Sequence, residues 1–439
     1  MRSFAALLAL PLLALLPLRA QLPGASEVQE RRLPNGARLL VVERPGLPAF
    51  HATLAFRGGW SEDPPSLAGA SELLARALYG GTWPEDVTPA TGELDTLLKQ
   101  EDGLSESLRL AKLRPEDGAS QTSELEASLQ ALQARIAALR PSGTPADLYA
   151  RLGGSQRASA DADVLLAESE LPVADFEFWC RTETQRLEHL RMSRFFEARA
   201  ALLDDLRARR DLGPALLRGA AFPGHPYGRN LADHAAGVEA IRWSDLRDYA
   251  RRVCSPDRLT LILVGGIRMD TAFPLISSTL GTLPCPDPRE DPIFPTLSAD
   301  LGDRQLQATL GTRPRLLVGW RIPPRNHPDH LALAMAAQLL GGGQTGRLAV
   351  RLVQQKALAQ KVEVRLDRPG GRHGGLFTVE LQPAEGHDLP EVQAALHSEI
   401  LRFQQGAIAP DEWQRALAEL EAEHLRAEDT PGRLGDALG

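Results

Sequence analysis

Short runs with apolar residues, bounded by turn residues, begin at residue 28 of the chain. Residues 28–32 and 37–42 flank an Asn-Gly dipeptide at positions 35 and 36, which is a strong signal for a β-hairpin. Residues 50–56 alternate between apolar and polar side chains, whereas residues 66–79 repeat their apolar positions at helical spacing. The pattern therefore predicts three strands followed by a helix.

The second half of the chain repeats this order. An apolar run at residues 259–264 predicts a buried strand that closes the first half. Residues 315–320 then predict a strand, 329–340 a helix, 375–381 a strand and 389–428 two helices. Because strands and helices recur in the same order, we predict an α+β fold of two related domains, each a mostly antiparallel sheet packed with helices.

Composition places the domain boundaries. The proline-rich residues 285–300 predict a linker between an N-terminal domain at 26–284 and a C-terminal domain at 301–439. Within the first domain, the polar residues 84–145 predict a helical insertion. Its apolar side chains recur at alternating four- and three-residue steps and form one seam: Leu125, Leu129, Leu132, Ile136 and Leu139. The seam predicts either a helix packed on the domain surface or an arm that contacts a partner chain.

The first twenty residues are typical of a secretory signal peptide. Arg2 precedes a nearly unbroken apolar run over residues 5–18, so we expect an exported protein, periplasmic or secreted. No later run is long and apolar enough to predict a transmembrane span in the mature chain. The net charge of -8, without any Lys/Arg-rich run, argues against nucleic-acid binding. Cys180, Cys254 and Cys285 allow one disulfide with a free thiol, or three buried thiols.

Several motifs occur in the order and spacing of one peptidase family. Residues 56–62 read as a strand that ends in a glycine turn and an acid, and residues 69–82 align without gaps to that family's metal-binding helix. Residues 339–348 match a glycine-rich loop and helix of its second half. The mature chain thus resembles the insulinase/pitrilysin zinc peptidases, or inverzincins. The resemblance implies a further helix and strand after Gly439, so a truncated C-terminal domain is one expectation.

The metal-binding motif of that family is altered in this sequence. In the family, His-x-x-Glu-His on a helix binds zinc through both histidines, and the glutamate acts as general base. Here Glu72, Ala75 and Arg76 stand at those three positions, and the distal ligand position is occupied by Asp204 or Asp205. Arginine has no lone pair for zinc and alanine cannot accept a proton. We therefore expect no zinc cofactor, although the resemblance implies one.

An ion pair is the expected replacement for the metal. Glu72 and Arg76 have the i,i+4 spacing of a helical ion pair, and Asp204 or Asp205 is expected to face the same guanidinium. Arg76 would then supply the charge that zinc supplies in the family, and Arg76→Ala would clearly lower stability. The alternative is an exposed surface pair that contributes next to nothing.

Other positions of the family's substrate site also differ. The resemblance implies an arginine and a tyrosine seven residues apart in the second half, where this chain has Val353 and Gln360. Arg157 stands where the family's substrate strand has an asparagine. The residues that we expect to contact a bound peptide are Arg157, Gly341, Gly342, Gly343 and Arg347.

The resemblance implies a function in peptide binding. Members of the family often work as a catalytic chain paired with one that has lost its metal site, and an extended peptide adds to a sheet edge between them. We expect a catalytically inactive homologue that binds extended peptides and pairs with a catalytic sister subunit. Two alternatives stay open: a standalone peptide-binding or scaffold protein, and an active zinc metalloendopeptidase with atypical ligands.

Overall fold

The computed structural model describes most of the chain in nine segments, residues 28–79, 91–112, 119–139, 145–190, 192–208, 212–230, 235–285, 302–310 and 313–428. The predicted signal peptide at 1–20 and residues 286–300 of the predicted linker lie outside them. None of the described helices has the length and apolar character that a membrane span requires.

Nine strands and thirteen α-helices make up the described secondary structure. The strands are β1 (Val28–Arg32), β2 (Arg38–Glu43), β3 (Ala49–Arg57), β4 (Ser155–Ala160), β5 (Val164–Pro172), β6 (Leu259–Gly265), β7 (Leu316–Ile322), β8 (Ala359–Asp367) and β9 (Gly375–Pro383). The helices are α1 (Ala70–Leu78), α2 (Thr91–Lys112), α3 (Ala119–Leu139), α4 (Pro145–Arg151), α5 (Phe176–His189), α6 (Phe195–Ala208), α7 (Gly213–Ala221), α8 (Ala235–Ala240), α9 (Trp243–Val253), α10 (Met269–Ser278), α11 (His330–Gly341), α12 (Leu389–Gln405) and α13 (Pro410–Glu428).

The described residues divide into two compact units. The first contains residues from Gly24–Arg209 and Leu231–Pro292, and the second contains residues from Arg210–Asn230 and Ile293–Asp429. The sequence analysis assigns residues 210–230 to the N-terminal domain, but α7 packs on β7 of the second unit. A Cβ atom at Gly319 of β7 would lie 3.1 Å from Leu217 of α7, so an apolar contact holds this helix in the second unit.

The first unit is built on a six-stranded sheet in the order β1-β2-β6-β3-β5-β4. All neighbours pair antiparallel except β2 and β6, which pair parallel, so the sheet is mixed. Alternate side chains of the strands, such as Phe50, Leu54 and Leu261, enter one apolar core together with the helices. The predicted α+β class is confirmed.

The second unit contains a three-stranded antiparallel sheet in the order β7-β9-β8. Val318, Val379 and Val364 lie in register across it. They pack with α11 and α12 around a separate apolar core. The helix predicted near residue 347 is a π-helix over Ala349–Gln355.

The helical insertion packs on the first unit. Helices α2 and α3 form a helical pair, and Leu132 and Ile136 of the predicted seam are buried in the same core as Leu97 and Leu98 of α2. The structure therefore supports the first interpretation of the seam, a helix packed on the domain surface. Leu125, Leu129 and Leu139 of the seam are only half-buried, so a contact of the insertion with a partner chain stays a prediction.

Two leucines of α2 provide a matched test of this packing. Leu98 is 1% exposed and Leu110 is 46% exposed. We expect Leu98→Ala to lower the free energy of unfolding by about 2–5 kcal/mol, because it removes buried methyl groups and leaves a cavity. Leu110→Ala should change it by less than about 0.5 kcal/mol. Urea unfolding measures both, and equal losses would contradict the packing of the insertion.

Candidate functional site

Helix α1 carries the residues that align with the family's metal-binding motif. It begins after Gly69, whose φ of 91° lies in the left-handed region, and a Cβ there would lie 2.6 Å from the side chain of Val238. The side chains of Leu73 and Leu74 are fully buried. Glycine at the helix start and leucines on the buried face therefore fix the position of α1 in the first unit.

A buried carboxylate holds the N-terminus of α1. Asp63 accepts hydrogen bonds from the backbone N–H of Gly69 at 2.9 Å and of Ser71 at 3.2 Å, which satisfies donors that a helix start leaves unpaired. It also accepts from the hydroxyls of Ser71 at 2.6 Å and Tyr249 at 2.7 Å. Burial raises the pKa of Asp63 to about 6, although these hydrogen bonds favour the ionised form.

Asp63, Ser71 and Tyr249 are not among the residues predicted from the sequence. Asp63 follows the glycine turn of residues 58–62 and precedes Pro64-Pro65, and a short acid before a predicted helix is a typical capping signal. Tyr249 lies 186 residues further along the chain, so no local pattern links it to Asp63.

The exposed side of α1 carries a cation bound to an acid. Arg76 donates from Nη2 to Oδ2 of Asp205 on α6 at 2.6 Å. The side chains of Arg76 and Asp205 are 33% and 57% exposed. The hypothesis of an ion pair in place of the metal required an enclosed pair, whereas this one lies on the surface. Asp204 instead lies 3.7 Å from Arg207. The predicted pair of Glu72 with Arg76 stays a prediction.

The residues on this face do not fit a zinc ion. A catalytic zinc site needs three protein ligands with lone pairs, which are histidine, cysteine or carboxylate. Glu72 is one carboxylate, Ala75 offers a methyl group, and the guanidinium of Arg76 binds the carboxylate of Asp205. Among the described residues, no three His, Cys, Asp or Glu side chains form a cluster that could hold a metal ion.

The edge strand β4 brings Arg157 onto the first sheet. Arg157 donates from Nε and Nη2 to the two carboxylate oxygens of Glu168 on β5, at 2.6 and 2.9 Å. Glu168 is 2% exposed and also lies 3.5 Å from Nε2 of His51, whereas the Arg157 side chain is 64% exposed. The bidentate pair fixes the guanidinium beside the strand edge.

Arg347 lies in the second unit and pairs with Glu412 of α13, although it was predicted to bind peptide. Its Nε and Nη2 donate to both oxygens of Glu412 at 2.6 and 2.8 Å, and its guanidinium lies over the ring of Phe403. This geometry indicates a link between the π-helix region and α13. A contact of Arg347 with peptide stays a prediction.

The glycines at 341–343 form a tight turn after α11. A Cβ at Gly341 would lie 2.4 Å from Val364, and one at Gly342 would lie 2.6 Å from the carbonyl oxygen of Gln338. Gly343 has a φ of 51° and open space around it. Close packing therefore explains the first two glycines, and Gly343 alone faces open space.

Val353 and Gln360 also lie in the second unit. Val353 packs against its apolar core, and Gln360 is exposed at an irregularity in the pairing of β8 with β9. Val353 has no polar atom that could polarise a peptide carbonyl, and Gln360 offers a neutral amide donor but no positive charge.

The cysteines are free thiols. Cys180 and Cys254 are buried, and burial raises the pKa of each to about 12, which suppresses the reactive thiolate. Cys285 is exposed. The structure therefore has three free thiols, but the predicted burial of all three is wrong for Cys285.

Comparisons with known proteins found similarity in sequence over part of the chain and in fold over most of it. A sequence profile described as the peptidase M16 inactive domain matches residues 241–420. An uncharacterized zinc protease of Mycobacterium leprae is 27% identical over 178 residues, a match that covers 38% of this chain and 39% of that protein. Over these stretches the chain is similar to M16 peptidases, and the match spans well under half the length of that relative. M16 is the insulinase/pitrilysin family, so the resemblance is confirmed.

Solved structures share the M16-like fold. A protease from Helicobacter pylori has a TM-score of 0.67 at 15% identity, covering 94% of this chain and 89% of that one. A peptidase M16 inactive domain from Pseudomonas fluorescens has a TM-score of 0.63 at 17% identity, covering 93% and 87%. At these identities the likeness is one of fold.

Two arginines of the first unit test whether the Arg76 pair stabilises the fold. Arg76→Ala should lower the free energy of unfolding by at most about 1 kcal/mol, because the pair is exposed. Arg258 donates to Glu62 at 2.8 Å, and both side chains are under 10% exposed. Arg258→Ala should therefore lower the free energy of unfolding by about 3–5 kcal/mol, since it removes the arginine partner of the buried Glu62 carboxylate. A large loss for Arg76→Ala in urea unfolding would restore the enclosed-site hypothesis.

The pKa of Asp63 predicts a pH-dependent stability. Because burial raises this pKa from 3.8 to about 6, the folded protein holds the proton more tightly than the unfolded chain. The resulting stabilisation is complete below about pH 4 and is lost as the pH rises through 6, a change of about 3 kcal/mol. Urea unfolding of the wild type and of Asp63→Asn measures this change. The difference between their free energies of unfolding should fall by about 3 kcal/mol between pH 4 and 8. A constant difference would show that the hydrogen bonds keep Asp63 ionised.

Proposed function

We propose that this chain is a catalytically inactive M16 homologue that binds extended peptides at the edge of its first sheet and pairs with a catalytic M16 subunit. The observation that carries the proposal is the Arg76–Asp205 ion pair, formed at the positions where the family places a metal ligand and its distal acid. An exported location, from the signal-peptide pattern of residues 1–20, is part of the same proposal.

The side chains of α1 lack the two functions that metal-assisted hydrolysis needs. One is a Lewis acid that activates water, and the other is a base that takes its proton. Ala75 replaces the base and is largely buried. Arg76 contributes a cation, but a guanidinium cannot lower the pKa of a bound water by coordination. These substitutions support inactivity without loss of the fold, because the buried face of α1 keeps its leucines.

The edge position of β4 supports peptide binding. In the described sheet, β5 is the strand neighbour of β4, and α1 packs across β4. A peptide that adds along the outer edge of β4 gains main-chain hydrogen bonds, and its alternate side chains point to the two faces of the sheet. One of those faces carries Arg157, held in one orientation by Glu168, and such preorganisation lowers the entropic cost of a contact.

Metal content, hydrolysis and peptide binding test this proposal in one preparation. We expect substoichiometric zinc by elemental analysis, no cleavage of a peptide library, and saturable binding of an extended peptide with protection of residues 155–160 from hydrogen exchange. The matched control is a peptide of similar length with proline at every third residue, which cannot form the ladder and should not bind. Stoichiometric zinc with chelator-sensitive cleavage would establish the enzyme alternative.

Pairing with a second chain is tested separately. The full-length protein, purified at low salt from its native source, should co-purify with a chain that carries His-x-x-Glu-His. Recovery of this chain without such a subunit, but with bound peptide, would favour the standalone binding protein. Absence of both would contradict the proposal.

A further inference from the structure

Two loops of the second unit concentrate positive charge. One loop joins β7 to α11 over residues 323–330, and the other joins β8 to β9 over residues 368–374. Together they carry three arginines and three histidines but a single acidic residue, Asp329, in a chain whose net charge is -8. Like charges that lie close together destabilise the folded state, and a bound anion would relieve their repulsion.

Arg368 holds the two loops together. Its Nη1 donates to the carbonyl oxygen of Pro323 at 2.8 Å, and its Nη2 lies 3.2 Å from Nδ1 of His330 at the start of α11. The backbone N–H of Arg325 donates to the carbonyl oxygen of Gly371 at 3.2 Å. These contacts bring the two arginines and the imidazole together on the surface that both loops form.

The imidazole of His330 is a neutral hydrogen-bond donor. A guanidinium has no acceptor, so Arg368 donates to Nδ1 of His330 and the proton of the neutral ring lies on Nε2. Burial lowers the pKa of His330, and the charges of Arg368 and Arg325 lower it further. Burial and the charge of Arg325 also lower the pKa of Arg368. Each cation thus disfavours its neighbours, which is the field that an anion between them would offset.

The protein supplies no acid for these cations. In the described residues, no carboxylate lies within ion-pair distance of Arg325, Arg368 or His330, and Asp329 lies 3.5 Å from Nδ1 of His327 instead. The Nε atom of Arg368 is buried and has no hydrogen-bond partner within the described part of the chain, and the Arg325 side chain is exposed. Charged donors at this surface are therefore available to a ligand.

We propose that the loops at 323–330 and 368–374 bind a phosphate group, either as inorganic phosphate or as the end of a phosphate monoester. Arg325 and Arg368 carry two positive charges, which match the charge of about -1.5 to -2 on a phosphate near pH 7 better than they match a carboxylate. Guanidinium groups bind phosphate oxygens in pairs, and Nε2–H of His330 is a further donor. The start of α11, which has no side-chain cap, adds its partial positive charge. This site is separate from the proposed peptide site at β4, and the two proposals can fail independently.

Calorimetric titration of the full chain with inorganic phosphate, at low salt and neutral pH, tests the proposal. We expect saturable binding of one phosphate per chain, and acetate, with its single charge, should bind at least about tenfold more weakly. Arg325→Gln should weaken phosphate binding by about tenfold to a hundredfold, because it removes a charged donor. Arg415 of α13 is 58% exposed in the same unit, so Arg415→Gln is the matched control and should leave the affinity unchanged.

NMR titration of the histidines gives a second readout that partial unfolding of a variant would not imitate. A bound dianion favours the imidazolium form, so phosphate should raise the pKa of His330. The signals of His397, exposed on α12, should not respond to phosphate. Titration with glycerol 1-phosphate distinguishes the two sources of the group, because tighter binding than that of inorganic phosphate identifies a monoester as the ligand, and equal binding identifies the phosphate group alone.

Four results would each overturn the proposal. The first is a titration with inorganic phosphate that does not saturate, and the second is an equal affinity for acetate and phosphate. The third is an equal loss of affinity in Arg325→Gln and Arg415→Gln, which would show general attraction to surface charge. The fourth is phosphate binding that leaves the pKa of His330 unchanged, which would place the anion elsewhere.

Discussion

The carboxylate of Asp63 is the contact on which the position of helix α1 depends. It accepts hydrogen bonds from the start of α1 and from Tyr249 of α9. The loop that carries Asp63, helix α1 and helix α9 are therefore joined at one buried point. Such a group is expensive to bury and is kept only where its hydrogen bonds are satisfied. The orientation of α1 across β4, and with it the position of Arg76, follows from this anchor.

A guanidinium and a zinc ion differ in the chemistry they can provide on a helix. A zinc ion organises its ligands and activates water, whereas Arg76 forms one directional ion pair with Asp205. Because that pair is exposed, it adds little to stability, and the buried contacts of Leu73, Leu74 and Asp63 hold the helix instead. The position of α1 therefore depends on these buried contacts rather than on the exposed Arg76–Asp205 pair.

Local pattern was sufficient for the strongly apolar strands and insufficient for β4 and β5 of the site. The runs at β2, β3 and β6 are apolar on consecutive or alternate residues and were predicted within about two residues of their bounds. Strands β4 and β5 were missed because β4 is polar and β5 carries buried Glu168 and Ser169, which interrupt the apolar pattern. Tertiary contacts with Arg157 and His51 make that burial tolerable.

The sequence by itself determined the α+β class, the family resemblance and the replacement of His-x-x-Glu-His by Glu72, Ala75 and Arg76 in the aligned helix, because each follows from residue type and spacing along the chain. Only the tertiary structure decided that Arg76 meets Asp205 rather than Asp204, that the pair is exposed, and that α7 packs on β7 of the second unit. Contacts between residues far apart in sequence depend on how whole elements pack, and periodicity within a single element carries no information about that packing.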